Sequence, residues 1–384
     1  MRSLHFGAGK IGRGFIGAVL HKAGYDICFA DINDELVALI NSEGNYAVHV
    51  MDEYSYSEII DGIRAVNSST SECQTLFSDV DLVTTAVSMN VLPLIAPTIA
   101  KGLRCRRDSG VEEPLNIISC ENGIRATSLL KGYVYNSMDE PLKKWAEGHV
   151  AFVDSAVDRI VPPIPCERPL DVVVEEFYEW CVDKNQVKGQ LPKIDGMHMT
   201  DTLNAFIERK LYTVNTGHVA TAFFGNLKGY TYISEALADE DLIADVRNVL
   251  KQSSDALISK FGFAPSIQYE YSETVLRRFR NPYLKDTVAR VCRDPRRKMG
   301  APLYFSYPIS MAKSQNLPYD KIAYATGAGL NVYNADDPQC FEIMDLIETL
   351  GLEKAISSIT GQTDPEVISC IAEAYKSLKL EKEK

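Results

Sequence analysis

Ser3-Leu4-His5-Phe6-Gly7-Ala8-Gly9-Lys10-Ile11-Gly12, continued to Asp31 as RGFIGAVLHKAGYDICFAD, is the stretch whose reading decides the fold. Ser3–Phe6 reads as a short strand, and the glycine turn follows at once. Phe15, Ile16, Val19 and Leu20 then recur at helical spacing until Gly24 closes the helix. Ile27–Ala30 is a second strand and ends at Asp31, nineteen residues beyond Gly12. Strand, glycine turn, helix, strand, acid is the order of a dinucleotide-binding βαβ unit. In such a unit Gly7 makes the tight turn, Gly9 lets the backbone approach a pyrophosphate, and Gly12 packs the helix on the sheet. Free N–H groups at the helix start, around Ala8, Lys10 and Ile11, face the anion. Asp31 is placed to accept hydrogen bonds from the adenosine ribose, and its charge repels a 2′-phosphate, which favours NAD over NADP. Arg13, beside the loop, is expected to meet the pyrophosphate.

Outward from this unit the alternation continues. Leu36–Asn41 reads as helix, 47–50 as strand, Ile59–Val66 as one strand-like run, and Asp81–Val87 as a buried strand whose end, at Ala86 and Val87, faces the cofactor. Pro97–Leu103 reads as helix, and Leu115–Cys120 as a further buried strand leading into Glu121-Asn122-Gly123. Polar groups just past the carboxyl ends of parallel strands line the ligand crevice, so Asn122 is a candidate by position; an asparagine before glycine is also ordinary turn chemistry. Ala151–Val161 reads as one strand stopped by Pro162-Pro163, and Val172–Phe177 as another. From Thr200 the chain reads as helix after helix, ending in a charged, fraying tail over Ile371–Lys384. The expectation is an α/β chain with an N-terminal Rossmann-type doubly wound sheet (1–190) and a mainly α-helical C-terminal domain (191–384).

A chain of 384 residues suits two domains, and 46% hydrophobic with 24% charged residues is ordinary globular composition. The net charge of −12 opposes nucleic acid and anionic membranes as main partners. The most apolar stretch, Asp81–Ala100, is interrupted by Ser88, Asn90, Pro93 and Pro97, too often for a membrane span. Met1-Arg2 leads straight into strand-like sequence without a signal-peptide core, so the expected location is cytoplasmic. Nine cysteines stand singly, and the six histidines form no ligand pair. The reading therefore contains no metal.

The chemistry is expected in Leu203–Phe224, LNAFIERKLYTVNTGHVATAFF. It has the spacing of a buried helix, yet carries Lys210, Asn215 and His218. At about 100° per residue, His218 lies about 80° and Asn215 about 140° from Lys210, so His218 falls between the other two on one broad face. A solvated lysine and a core histidine give the bland alternative. A second cluster, Arg277–Lys298, concentrates basic residues in an acidic chain and suggests an anion site, or else a solvated helix face with pairs four residues apart.

LHFGAGKIGRGFIG (4–17), SCENG (119–123), VDRIVPP (157–163), KLYTVNTGH (210–218) and RFRNPYLKD (278–286), in this order along nearly the whole chain, resemble the polyol-specific long-chain dehydrogenases. The compact length resembles the branch acting on a hexitol phosphate. The resemblance implies a zinc-independent, NAD-linked, reversible oxidation of D-mannitol 1-phosphate to D-fructose 6-phosphate in a monomer or homodimer. It implies Lys210 as general base, Asn215 and Asn122 as donors to the developing alkoxide, and His218 on a substrate hydroxyl. Asp158 and Arg159 match the family's substrate segment, and Arg290 and Lys298 its later basic positions. The phosphate contact stays open among Arg290, Arg293, Arg297 and Lys298. A related hexuronate reductase, an unphosphorylated polyol dehydrogenase, or a non-catalytic NAD-binding regulatory module are the alternatives. A lysine base needs its pKa brought down from about 10.4, which burial and a nearby positive nicotinamide ring would do.

Overall fold

The computed structural model describes residues 1–52 and 54–382. The last two residues of the expected fraying tail lie outside the described residues. The chain divides into two compact units, Met1–Phe206 and Ile207–Lys384.

Among its described residues the first unit has twelve strands: β1 (Arg2–Phe6), β2 (Asp26–Asp31), β3 (Asn45–Val50), β4 (Tyr56–Asp61), β5 (Arg64–Asn67), β6 (Leu82–Thr85), β7 (Leu115–Ser119), β8 (Val150–Phe152), β9 (Ser155–Asp158), β10 (Val172–Val174), β11 (Glu179–Asp183) and β12 (Met197–Thr200). Six of them form an all-parallel sheet in the order β5-β2-β1-β6-β7-β8. The chain order turns back between β1 and β6, where Phe6 aligns with Thr85, so a crevice is expected outside the carboxyl ends of these two strands. Both faces are covered. Ile27 and Phe29 of β2 pack into one apolar core, and Cys28 and Ala30 into the other, the alternation that a strand's two-residue period dictates.

Two expected strands are each divided between sheets. The run Ile59–Val66 breaks at Gly62, whose φ of +63° turns the chain. Its first part, β4, pairs with β3 in a three-stranded sheet β10-β3-β4, and its second part, β5, becomes the edge of the main sheet. The run Ala151–Val161 breaks at Asp154, a buried carboxylate that accepts from Ser128 N (2.8 Å) and Oγ (2.6 Å). Residues before it close the main sheet as β8, and residues after it join the sheet β12-β11-β9. The helix expected over Pro97–Leu103 is longer, Leu92–Asp108, with Pro93 in its first turn, where no N–H is needed.

The second unit is helical. Its long helix Glu240–Phe261 is capped by Asp239, which accepts from Asp241 N and Leu242 N, and is closed by Gly262 at φ +70°. Pro265–Phe279 and the C-terminal helix Pro365–Lys382 are the other long elements. Among the described residues no helix is long and apolar enough to cross a membrane.

Candidate active site

At the end of β1, Gly7 takes φ +98°, and a Cβ on it would lie 2.5 Å from Ala86 O, so only glycine fits. A Cβ on Gly12 would lie 2.0 Å from Gly7 O, which is how closely the helix sits on the turn. Gly9 differs: a Cβ there meets nothing within 4 Å. The protein's own packing does not require glycine at position 9, so the space beside it suits an external group. Asp31 is half-buried at the end of β2; its Oδ2 accepts from Ala8 N (2.8 Å) and its Oδ1 from Asn33 N (3.0 Å). Lys10 reaches Ile164 O (3.0 Å), while Ile11 is exposed.

Arg13 corrects the sequence expectation. It is buried, and its guanidinium turns inward to Ala8 O and Leu170 O (2.9 Å to the latter), with burial lowering its pKa. It ties the loop at Ala8 to Leu170, so its guanidinium is spent on the main chain.

On the other side of the crevice, Glu121 organises the end of β6. Its buried carboxylate accepts from Thr85 Oγ1 (2.9 Å), Val87 N (2.9 Å) and Ser88 N (2.7 Å). These bonds hold the backbone at Ala86 and Val87 and support Ser88 at φ +86°. Asn122 follows directly, exposed at the sheet edge. Asp158 is buried at the end of β9. Arg159 bonds the main chain: Nε and Nη2 donate to Glu175 O (3.1 and 2.9 Å) and Nη1 to Gly14 O (3.0 Å), with the guanidinium over the Tyr178 ring.

The candidate catalytic segment is not a uniform α-helix. Leu203–Arg209 is α-helical, Lys210–Asn215 forms a π-helical turn, and Thr216–Leu227 resumes the α-helix. A π-turn amounts to one extra residue in the helix, which turns everything beyond it back by about 100°. Asn215 moves from about 140° to about 40° from Lys210, and His218 from about 80° to about 20° on the opposite side. Lys210, and not His218, is therefore the middle member. Burial agrees: Lys210, Asn215 and His218 are half-buried, while Tyr212–Val214, Thr216 and Gly217 are buried.

His218 stacks on Phe279, with ring centroids 4.5 Å apart and planes 19° apart. Its Nε2 lies 2.8 Å from Asp286 Oδ2, and Asp286 also receives Arg290 through Nε and Nη2, both at 2.7 Å. Burial raises the Asp286 carboxyl, but the bonds and charges of His218 and Arg290 outweigh it and leave the pKa below the ordinary value. A carboxylate only accepts, so Nε2 carries the proton that His218 directs at Asp286.

The remaining basic candidates do not converge. Arg290 and Arg293 line a depression of about 460 Å³ shared with Asp294, Asp336 and Asp337. Arg297 pairs with Asp294 at 3.4 Å. Lys298 donates to Val291 O (2.6 Å), and burial, followed by the charge of Arg297, pushes its pKa down to about 8.

A family model described as the mannitol dehydrogenase Rossmann domain matches residues 1–196, and one described as the mannitol dehydrogenase C-terminal domain matches residues 202–379. The chain belongs to the mannitol dehydrogenase family. A D-sorbitol dehydrogenase solved in substrate-free form is 18% identical with a TM-score of 0.85, over 99% of this chain and 93% of that one. The Pseudomonas fluorescens mannitol 2-dehydrogenase, solved as a ternary complex with NAD and D-mannitol, is 18% identical with a TM-score of 0.75, over 99% and 92%. At that identity the likeness shows a shared fold: a parallel-sheet Rossmann-like domain followed by a mainly helical one.

Within this mannitol dehydrogenase fold, sequence reasoning passed over Glu121 and Asp286. Both stand inside quoted motifs, SCENG and RFRNPYLKD. Asp286 had a signal, its spacing of four from Arg290. Glu121 had only its position after a buried strand.

Proposed function

We propose that this chain is an NAD-dependent polyol dehydrogenase acting on D-mannitol 1-phosphate and forming D-fructose 6-phosphate, a mannitol-1-phosphate 5-dehydrogenase. The observation that carries the reading is the single half-buried face holding Lys210, Asn215 and His218. Gly9, with its open space, and the helix start behind it would hold the pyrophosphate of NAD, with Asp31 at the ribose and Ala86, Val87 and Asn122 along the sheet edge. When bound, NAD supplies the hydride acceptor.

In its neutral form Lys210 takes the proton of the substrate hydroxyl while the adjacent C–H bond gives up its hydride, leaving a carbonyl. The Asn215 amide donates to the oxygen as negative charge gathers on it, an effect typically worth about 3 kcal/mol per donor. His218 Nδ1 hydrogen-bonds a neighbouring substrate hydroxyl, and Asp286 and Phe279 fix the ring that offers it. Lys298, lowered to about 8 and tied to Val291 O, and the exposed Arg293 are the open candidates for the phosphate end.

The unphosphorylated polyol is the second reading, and a specific observation favours it. Arg290 is already held by Asp286, and three carboxylates share the depression beside Arg293, which weakens it as an anion site. The test is nicotinamide absorbance with purified protein and NAD, comparing mannitol 1-phosphate, mannitol and a hexonate. Rapid reduction with the phosphate ester alone is the expected result; turnover with mannitol or the hexonate moves the substrate to a sibling, and no reduction with any of the three rejects the dehydrogenase reading.

A further inference from the structure

The π-turn that gathers the three polar residues leaves a specific backbone group without its usual partner. Thr216 N–H bonds Leu211 O, five residues back, and also reaches Thr213 O, so it is not spent on Tyr212 O. From Thr216 the α-helix resumes, and in α-register the N–H of residue 217 is directed at the carbonyl of residue 213. Tyr212 O falls between these two patterns, where a change of register leaves the helix ladder no N–H to offer it. An unsatisfied carbonyl at a buried position is costly, which is why such groups almost always find a partner.

Here the partner comes from another helix. Ser253, in Glu240–Phe261 and fully buried, donates its Oγ–H to Tyr212 O at 2.5 Å. The neighbouring groups are held in the same way: Thr216 Oγ1 donates to Tyr304 O (2.6 Å), and buried Gln268 Nε2 to Thr213 Oγ1 (3.0 Å). In a continuous α-helix Tyr212 O would instead take the N–H of Thr216, and the extra residue would be wound out.

We propose that Ser253 is a positioning residue for the reaction: its buried hydroxyl, by satisfying Tyr212 O, keeps the π-turn open and so holds Asn215 and His218 beside Lys210. This rests on the reading of Lys210 as the base. Ser253 itself touches neither substrate nor cofactor; it acts through the helix register. Without its hydroxyl, the α-register becomes the arrangement that leaves no orphan carbonyl. That register turns Asn215 and His218 by about 100° relative to Lys210.

The test uses the full chain with Ser253→Ala and Ser253→Thr. A crystal structure of the alanine variant is expected to show Thr216 N–H moved to Tyr212 O; a π-turn unchanged from Lys210 to Asn215 overturns the proposal. In steady-state kinetics the alanine variant is expected to lose roughly 100-fold in kcat, the scale of a misplaced reacting group, with the Kd for NAD unchanged. Threonine, which keeps the hydroxyl, recovers most of that loss. Wild-type kcat in the alanine variant, or equal losses in both variants with the turn intact, rejects the role. If the wild-type enzyme reduces NAD with no polyol, the functional reading fails, and the register seen in the alanine structure alone decides the proposal.

Discussion

Among the described residues two helices contain a six-residue π-turn, one opening from the glycine loop at Gly12–Gly17 and one at Lys210–Asn215. In each, the carbonyl of the third residue is taken by a distant side chain: Gly14 O by Arg159 and Tyr212 O by Ser253. The first turn also has Tyr46 OH on Arg13 O at 2.8 Å. Beyond this shared device the two differ in what makes the wide turn possible. The cofactor helix is glycine-rich, and its glycines sit where a side chain would collide: a Cβ on Gly17 would be 2.8 Å from Gly12 O, and one on Gly14 3.0 Å from Val174 Cγ1. The second turn, KLYTVN, has no glycine and relies on hydroxyl and amide groups from elsewhere in its unit. A glycine-rich turn is widened by close backbone packing, whereas an ordinary sequence is widened only where tertiary contacts satisfy what the register change leaves over.

This difference can be broken at either helix. The largest effect is expected from Lys210→Ala, which should cut turnover by about 10²–10⁴-fold while leaving NAD affinity unchanged; near-normal turnover would remove Lys210 as the base. Arg159→Met acts on the other turn. It leaves Gly14 O without its donor, so NAD affinity should fall roughly tenfold, for a cost of about 1–3 kcal/mol. If the KM for substrate rises and NAD affinity does not, Arg159 belongs to the substrate and not to the cofactor helix.

Gly9→Ala separates space from packing. Thermal unfolding should be unchanged, because a Cβ there meets no protein atom, while calorimetry should show weaker NAD binding by a smaller factor than Arg159→Met. Wild-type affinity would mean that nothing approaches the loop at that point.

The smallest effect concerns Lys298. Its folded pKa, about 8, lies below the usual value for lysine, so between about 8 and about 10.4 the unfolded chain binds more protons than the folded one. Stability from this group therefore rises with pH through that window and is lowest below it. Lys298→Met should remove this slope, seen as a wild-type-minus-variant difference in Tm that changes across the window and is flat below it.

The features legible in the sequence are those whose partners lie close along the chain. Gly7, Gly12 and Asp31 stand in the turn and strand where their spacing puts them, with Ala8 N on Asp31 only 23 residues away. Arg13 was misplaced because its partner, Leu170 O, is 157 residues off, and a basic residue near a phosphate loop has no local mark that separates inward from outward. The split of Ile59–Val66 had a local sign in Gly62. The split at Asp154 had none, since Ser128 and Gln186, which hold that carboxylate and its N–H, come from other parts of the unit.

By itself the sequence determined the order of strands and helices, the glycine positions that allow a tight turn, and the identities of Lys210, Asn215 and His218. These follow from periodicity and backbone sterics, which act over a few residues. Only the tertiary structure decided how those three side chains are arranged. Their angles depend on one register change, and that change persists because Ser253, 41 residues from Tyr212, delivers a hydrogen bond the helix cannot make for itself.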